Sequence, residues 1–294
     1  RQGDAAVRTA ALTALSRLQT PEYGPALAAA QDDPEEAVRK LALKLSVETP
    51  PVAAAGAPSA ADPTARLAGV LERGSLAEKQ NALASLAKVS TPAATDLLRK
   101  WLQQVVDGTL PAELHLDVLD AAATHPDLKP LLTQWNASHA ATGTNDIAPW
   151  KVSLTGGNVD AGRTVFVERA EVACLRCHKV GGEGGEVGPE LTGLVAQRGR
   201  EYVLQSILYP NAGIAEGFES VLVTLKNGTA YAGVIKSETP EELVLNSPED
   251  GLVTLKKSDI TEREKGLSGM PEGFGELLSR QDLRNLIEYL ASSK

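Results

Sequence analysis

The spacing of apolar residues changes period twice along this chain. From residue 1 to about 141, Ala, Leu and Val recur every three or four positions, the interval of one helix face. The stretch Val7-Arg8-Thr9-Ala10-Ala11-Leu12-Thr13-Ala14-Leu15 sets the pattern. It returns at Val38-Arg39-Lys40-Leu41-Ala42-Leu43, at Glu78-Lys79-Gln80-Asn81-Ala82-Leu83 and at Leu114-His115-Leu116-Asp117-Val118-Leu119. Aligned on Ala11, Ala42, Ala82 and Val118, the copies lie 31, 40 and 36 residues apart. Steps of this size, each holding a helix pair, predict an α-solenoid over 1–141. A further helix is predicted from near Asp160, with Gly162, Val165 and Phe166 on one face and Asn158 or Asp160 as its cap. Another runs from about Arg200 to Tyr209 and stops at Pro210. Then the period becomes two. Val221, Val223 and Leu225 alternate with Leu222, Thr224 and Lys226, and Asn227-Gly228 supplies a hairpin turn. Short apolar runs near Tyr231–Ile235, Glu242–Leu245, Leu252–Leu255 and Ile260 add strands. Residues 218–262 therefore predict a small antiparallel sheet or barrel of four or five strands. The helical period returns at the end. Ser279-Arg280-Gln281-Asp282 reads as a capping box, and Leu283, Leu286, Ile287 and Leu290 form the stripe behind it. The predicted fold class is mainly α with a small β insertion.

The string Asp33-Pro34-Glu35-Glu36-Ala37-Val38-Arg39 resembles the inner part of a HEAT repeat, with Asp33 capping the helix and Pro34 in its first position. Residues 49–64 are rich in Pro, Ala, Gly and Ser and predict an exposed connection between repeats. Glycine use changes near residue 142: 7 of the 26 glycines precede residue 150 and 19 follow it. Residues 142–157 read as a linker, with Trp150 packing at the domain junction, and 158–294 as a second domain.

Chemistry concentrates in that second domain. Cys174-Leu175-Arg176-Cys177-His178 holds both cysteines of the chain. The C-x-x-C-H string is the attachment signal for one covalent c-type haem. Each thiol adds to a vinyl group, and His178, beside the second anchor, is placed to ligate the iron. A zinc site asks for four ligands, which two cysteines and scattered histidines do not supply. A redox thiol pair has no need of the adjacent histidine. His115, His125 and His139 read as surface or loop residues. The one methionine, Met270, lies in Leu267-Ser268-Gly269-Met270-Pro271, a loop before the last helix. A core-filling methionine belongs inside an element, whereas a thioether in a Gly/Pro loop suits an axial position on iron. His178 and Met270 are the candidate metal ligands. The Gly-rich run 181–185 reads either as a backbone that permits close approach to a flat ligand or as a simply flexible loop, and Arg198 and Arg200 are candidates to meet haem propionates or solvent.

Residues 158–294 resemble a class I cytochrome c. The resemblance rests on Gly162 and Phe166, on Cys174, Cys177 and His178, on Gly188-Pro189-x-Leu191, on Ser268-x-Met270-Pro271 and on a last helix carrying Tyr289. It implies that the first and last helices cross. It implies that the Pro189 carbonyl accepts the N–H of the proximal histidine, and that Leu191 packs on the haem face. His178 and Met270 stand 92 residues apart; the strand-rich segment takes 45 of these and leaves 47, which suits a small cytochrome. The wider arrangement is similar to the haem-binding C-terminal domain family of large secreted planctomycete and verrucomicrobial proteins. There the domain follows HEAT-like repeats and a β-propeller resembling sugar dehydrogenases.

These features imply an electron-transfer module rather than an enzyme. It would take electrons from a dehydrogenase domain or a redox partner protein and pass them to a periplasmic acceptor. Haem is attached to such motifs outside the cytoplasm, so a periplasmic or exported location follows. The chain opens Arg1-Gln2-Gly3-Asp4 without an initiator Met, the reading of a mature fragment or a piece of a longer protein. Two alternatives remain open: a haem enzyme or gas sensor whose Met270 loop swings away, and a scaffold that binds partners through its HEAT-like region around a structural haem. Both halves carry more acid than base, 17 against 13 up to residue 150 and 21 against 16 beyond it, which excludes a nucleic-acid binder. No 18-residue apolar run predicts a membrane span, and no G-x-S-x-G elbow predicts a hydrolase.

Overall fold

The chain divides into two units, one that ends at His139 and one that starts at Ala140. The structure, a computed structural model, describes residues 4–51 and 62–294. Most of the connection predicted at 49–64, namely 52–61, lies outside the described residues.

The first unit contains α1 (Ala5–Leu18), α2 (Tyr23–Gln31), α3 (Glu36–Glu48), α4 (Thr64–Arg73), α5 (Leu76–Leu86), α6 (Pro92–Val106), α7 (His115–Ala123) and α8 (Lys129–Ser138). α3, α5 and α7 pack in succession, and α4, α6 and α8 make a second row against them. This is the two-row stacking that the repeated apolar pattern predicts. Ala42, Ala82 and Val118 are fully buried at the repeat positions. Ala11 is not: it is exposed, and Leu12 is the buried residue. The first copy is therefore displaced by one residue. Asp33 does not cap a helix either, because α3 starts at Glu36. Its carboxylate instead accepts the Glu35 N–H at 2.9 Å and two guanidinium hydrogen bonds from Arg8, at 2.8 and 2.9 Å. One repeat further on, Arg39 donates to Glu78 at 2.6 Å, and Asn81 donates to the Lys40 carbonyl at 2.8 Å. Arginine in each of the first two copies thus reaches a carboxylate nearer the C-terminus. His125 stands in the loop before Pro126, as expected, but not at the surface. It is 6% exposed, with Nδ1 3.0 Å from the Thr95 hydroxyl and Nε2 3.3 Å from the Leu86 carbonyl.

In the second unit α9 (Val159–Glu168) and α14 (Arg280–Ser292) form the main helix pair. Between them come α10 (Cys174–Cys177), a two-residue ladder of β1 (Lys179–Val180) and β2 (Glu183–Gly184), then α11 (Leu194–Arg198) and α12 (Arg200–Leu208). A five-stranded antiparallel sheet follows: β3 (Ser220–Leu225), β4 (Ala230–Glu238), β5 (Glu242–Ser247), β6 (Gly251–Lys256) and β7 (Ile260–Lys265), in the order β6-β5-β4-β3-β7. It is an open sheet rather than a barrel, with β6 and β7 at its ends. α13 (Phe274–Leu277) leads into α14. The sheet has its own small core of Val221, Val223, Leu243, Leu245 and Leu255. Residues 142–157 are not a free linker. Ile147 and Val152 are buried, Trp150 and Leu154 pack on the core of the second unit, and Tyr209 donates to the Asp146 carbonyl at 3.2 Å. The Trp150 ring lies against Gly275 and 5.8 Å from the Arg280 guanidinium, both in its own unit.

Candidate functional site

The frame of the site is the contact of α9 with α14. Asn158 caps α9, its Oδ1 accepting the Ala161 N–H at 2.8 Å. Ser279 and Asp282 form the capping box of α14. A Cβ on Gly162 would stand 1.9 Å from the Asn285 carbonyl oxygen, so only glycine lets the two backbones come this near. Phe166 then meets Tyr289 with ring centroids 5.6 Å apart. Arg169, just past α9, donates to Asp282 at 2.8 Å and to the Leu277 carbonyl at 2.8 Å. Burial works to raise the Asp282 pKa, but hydrogen bonds from Ser279 and Arg169 outweigh it and hold the carboxyl below its ordinary value.

The cysteine motif follows directly. α10 is a single turn, entered through Ala173 at φ +44° and closed by the His178 N–H on the Cys174 carbonyl at 3.0 Å. That turn sets both thiols and the imidazole beside one another. Both cysteines are free thiols. Burial pushes the Cys174 thiol up to about 11, the opposite of the lowered pKa that makes a redox thiol reactive. The glycine-rich run folds back on this turn. The Gly185 N–H reaches the Leu175 carbonyl at 2.9 Å and the Gly188 N–H reaches the Cys177 carbonyl at 2.8 Å. A Cβ on Gly188 would lie 2.5 Å from Cε1 of His178, so this backbone lies flat along the imidazole. Gly184, Gly185 and Gly188 thus serve close contact with the motif itself, while Gly181 and Gly182 have open space beside them.

His178 Nδ1 lies 2.9 Å from the Pro189 carbonyl oxygen. A carbonyl only accepts, so Nδ1 carries the proton and Nε2 keeps its lone pair. Burial pushes the His178 pKa below its ordinary value, against an opposing pull from the Pro189 hydrogen bond, and so favours the neutral, ligating form. Cys174, Cys177, His178, Pro189, Leu191 and Met270 all line one cleft. Its other walls are overwhelmingly apolar and include Phe166, Val172, Leu194, Val203, Ile207, Phe274, Leu286 and Leu290, with Phe218 and Val234 from the strand-rich segment. The cleft encloses about 1140 Å³ of empty space, counted out to its open mouth. All six residues singled out by the sequence are brought together here.

The donor set is specific. Two thiols for thioether bonds, an imidazole with Nε2 free and a thioether meet in an apolar cleft, the composition that haem c asks for. Among the described residues no three His, Cys, Asp or Glu side chains gather as a metal-ion cluster. Arg200 does not reach the cleft: it pairs with Glu288 at 2.8 Å and donates to the Leu154 carbonyl at 2.8 Å. Arg198 lies over the Tyr202 ring at 5.6 Å.

Sequence reasoning missed Asn211 and Ser220. Asn211 Oδ1 accepts the Ser268 N–H at 2.8 Å, and its amide donates to Glu272 at 2.6 Å. Ser220 Oγ donates to the Leu267 carbonyl. Their partners lie 47 to 61 positions away in the chain, so no local pattern marks them.

The model of the PBS lyase HEAT-like repeat matches residues 7–33, which span α1 and α2. The first unit therefore carries a HEAT-like repeat, in line with its two rows of helices. A comparison with curated proteins gave no match. Among the described residues no helix is long and apolar enough to cross a membrane.

Proposed function

We propose that this chain is a mono-haem c-type cytochrome module that transfers electrons, with its second unit of class I cytochrome c type. One observation carries the reading: Cys174, Cys177, His178 and Met270 line a single apolar cleft, with His178 Nδ1 bound to the Pro189 carbonyl. In this reading Cys174 and Cys177 would hold haem c through thioether bonds, and His178 and Met270 would ligate its iron. Such a group, when bound, supplies one-electron exchange between ferric and ferrous iron. The Pro189 carbonyl fixes the ring plane and tautomer of His178 and strengthens it as a donor. Leu191, Phe166 and Leu286 line the cleft and would keep water from the bound group. With both His178 and Met270 engaged, the group would favour electron transfer over substrate chemistry at the metal, so we assign no catalytic residue. The donor is a dehydrogenase domain or partner and the acceptor a periplasmic carrier, with the chain exported. The HEAT-like unit offers a surface on which a protein partner docks.

The test is to produce the full chain with and without a c-type maturation system. Covalent haem, resistant to denaturation, and a low-spin spectrum with a weak far-red sulfur-to-iron band are expected. Met270→Ala should abolish that band while covalent attachment persists. Absence of a covalent adduct, or a high-spin ferric spectrum in the unmodified protein, overturns the reading.

A further inference from the structure

We propose that Asn211 is the positioning residue that keeps Met270 at its ligating place, and that the inserted sheet shares this task through Ser220. The proposal rests on the haem reading given above. Asn211 follows Pro210 at the end of α12 and is half-buried. One side chain makes two bonds that straddle the methionine. Its Oδ1 accepts from the Ser268 N–H, two residues before Met270, and its Nδ2 donates to the Glu272 carboxylate, two residues after it. The Met270 N–H turns back on Ser268 Oγ at 3.1 Å, which closes the loop between these anchors. A third anchor lies upstream. The Gly266 N–H donates to the Ser220 carbonyl at 2.8 Å, and Ser220 Oγ returns a bond to the Leu267 carbonyl. Ser220 is the buried first residue of β3, so the sheet itself grips the loop.

The anchors answer a physical need. A methionine side chain has three rotatable bonds, and Gly266, Gly269 and Gly273 leave its loop little intrinsic stiffness. A thioether is a neutral donor, so its hold on iron depends on how little freedom the loop gives up to bring it there. Asn211 removes that freedom beforehand without touching the ligand.

The experiment uses holoprotein of the full chain and reads carbon monoxide binding to the ferrous form, which needs Met270 to leave. Each hydrogen bond lost shifts the open fraction by roughly twofold to tenfold, so losing both in Asn211→Ala should raise the association rate by about fourfold to a hundredfold. Asn211→Asp combined with Glu272→Gln exchanges donor and acceptor and restores both bonds, so it should return the rate to within a few-fold of the unmodified protein. A general loosening of the fold would lower the urea midpoint and would not be rescued by this exchange. An unchanged rate in Asn211→Ala, or a raised rate that the exchange fails to rescue, overturns the proposal while a low-spin spectrum of the unmodified protein leaves the haem reading intact. A spectrum in which Met270→Ala equals the unmodified protein defeats both. If Asn211→Ala does not mature, Glu272→Ala decides, since Glu272 is exposed. A rate raised a few-fold there supports the proposal, and an unchanged rate overturns it.

Discussion

Replacing Gly162 by alanine puts one methyl group where α9 touches α14. The new Cβ meets the Asn285 carbonyl oxygen at 1.9 Å and Tyr289 Cβ at 2.7 Å. Ordinary contact needs about 3.5 Å, so the helices must part by roughly 1.5 Å along this line. The obstacle is backbone and cannot rotate away. Overpacking of a tight core costs about 1–3 kcal/mol or more, and a backbone obstacle places this case at the upper end. Alanine returns about 1 kcal/mol through its helix propensity. The net expectation is a loss of about 2 kcal/mol. Native-state hydrogen exchange reads it locally, as roughly thirtyfold faster exchange of the protected amides in α9 and α14. Peptides from α1 to α8 should not change, because they belong to the other unit. Slower exchange in α9 and α14, with a gain near the propensity value, would refute the close crossing and the account of Gly162 built on it.

His125→Phe should destabilise the first unit by about 1–2 kcal/mol, read as a lower urea midpoint. The loss stays in this range because the Leu86 carbonyl also accepts the Val89 N–H and the Thr95 hydroxyl also reaches the Thr91 carbonyl, so neither partner is orphaned. Glu238 on β4 is held down to about 2 by hydrogen bonds from Arg263 and Lys257. A carboxylate lowered on folding adds stability that is complete above its unfolded value near 4.5 and is lost as pH falls through the folded value near 2. Melting of the sheet followed between pH 5 and 2 should therefore show an acid loss that Glu238→Gln flattens; equal slopes in both proteins would count against it.

What the sequence discloses is what short-range periodicity controls. The capping box at Ser279, the stripe from Leu283 to Leu290 and the Asn227-Gly228 turn each depend on neighbours within a few residues, and each stands where the pattern puts it. The cysteine motif is equally local, since one turn of backbone suffices to gather its groups. Positions decided by distant partners read differently. Asp33 has the look of a helix cap, but Arg8 in α1 claims its carboxylate. His125 precedes a proline in a turn, as expected, yet its burial is decided by Thr95 on α6, 30 positions away. The polar composition of 142–146 conceals the apolar set Ile147, Trp150, Val152 and Leu154, which winds into a 3-10 helix on the second core. Asn211 carries no signal at all: asparagine after proline is ordinary in a loop, and only the fold brings Ser268 and Glu272 to it.

The strand-rich segment interrupts a helical unit without prising it apart, and the ladder explains how. β3 and β7, its first and last strands, are antiparallel neighbours, with Val221 opposite Lys265. The Gly266 N–H closes on the Ser220 carbonyl at the same end of that ladder. Entry and exit are thus side by side, and the helical frame experiences the long segment as a short connection. Loop-closure entropy, which grows only slowly with length, is offset within the sheet by its own ladders and core. The same closure has a second consequence. Because the exit strand is pinned to the entry strand, the chain leaves the sheet at a fixed point, and Met270 follows five residues after Lys265. A flexible connection of equal length would deliver that methionine anywhere along the mouth of the cleft. A paired one delivers it to one place, where Phe218 and Val234 already form part of the wall.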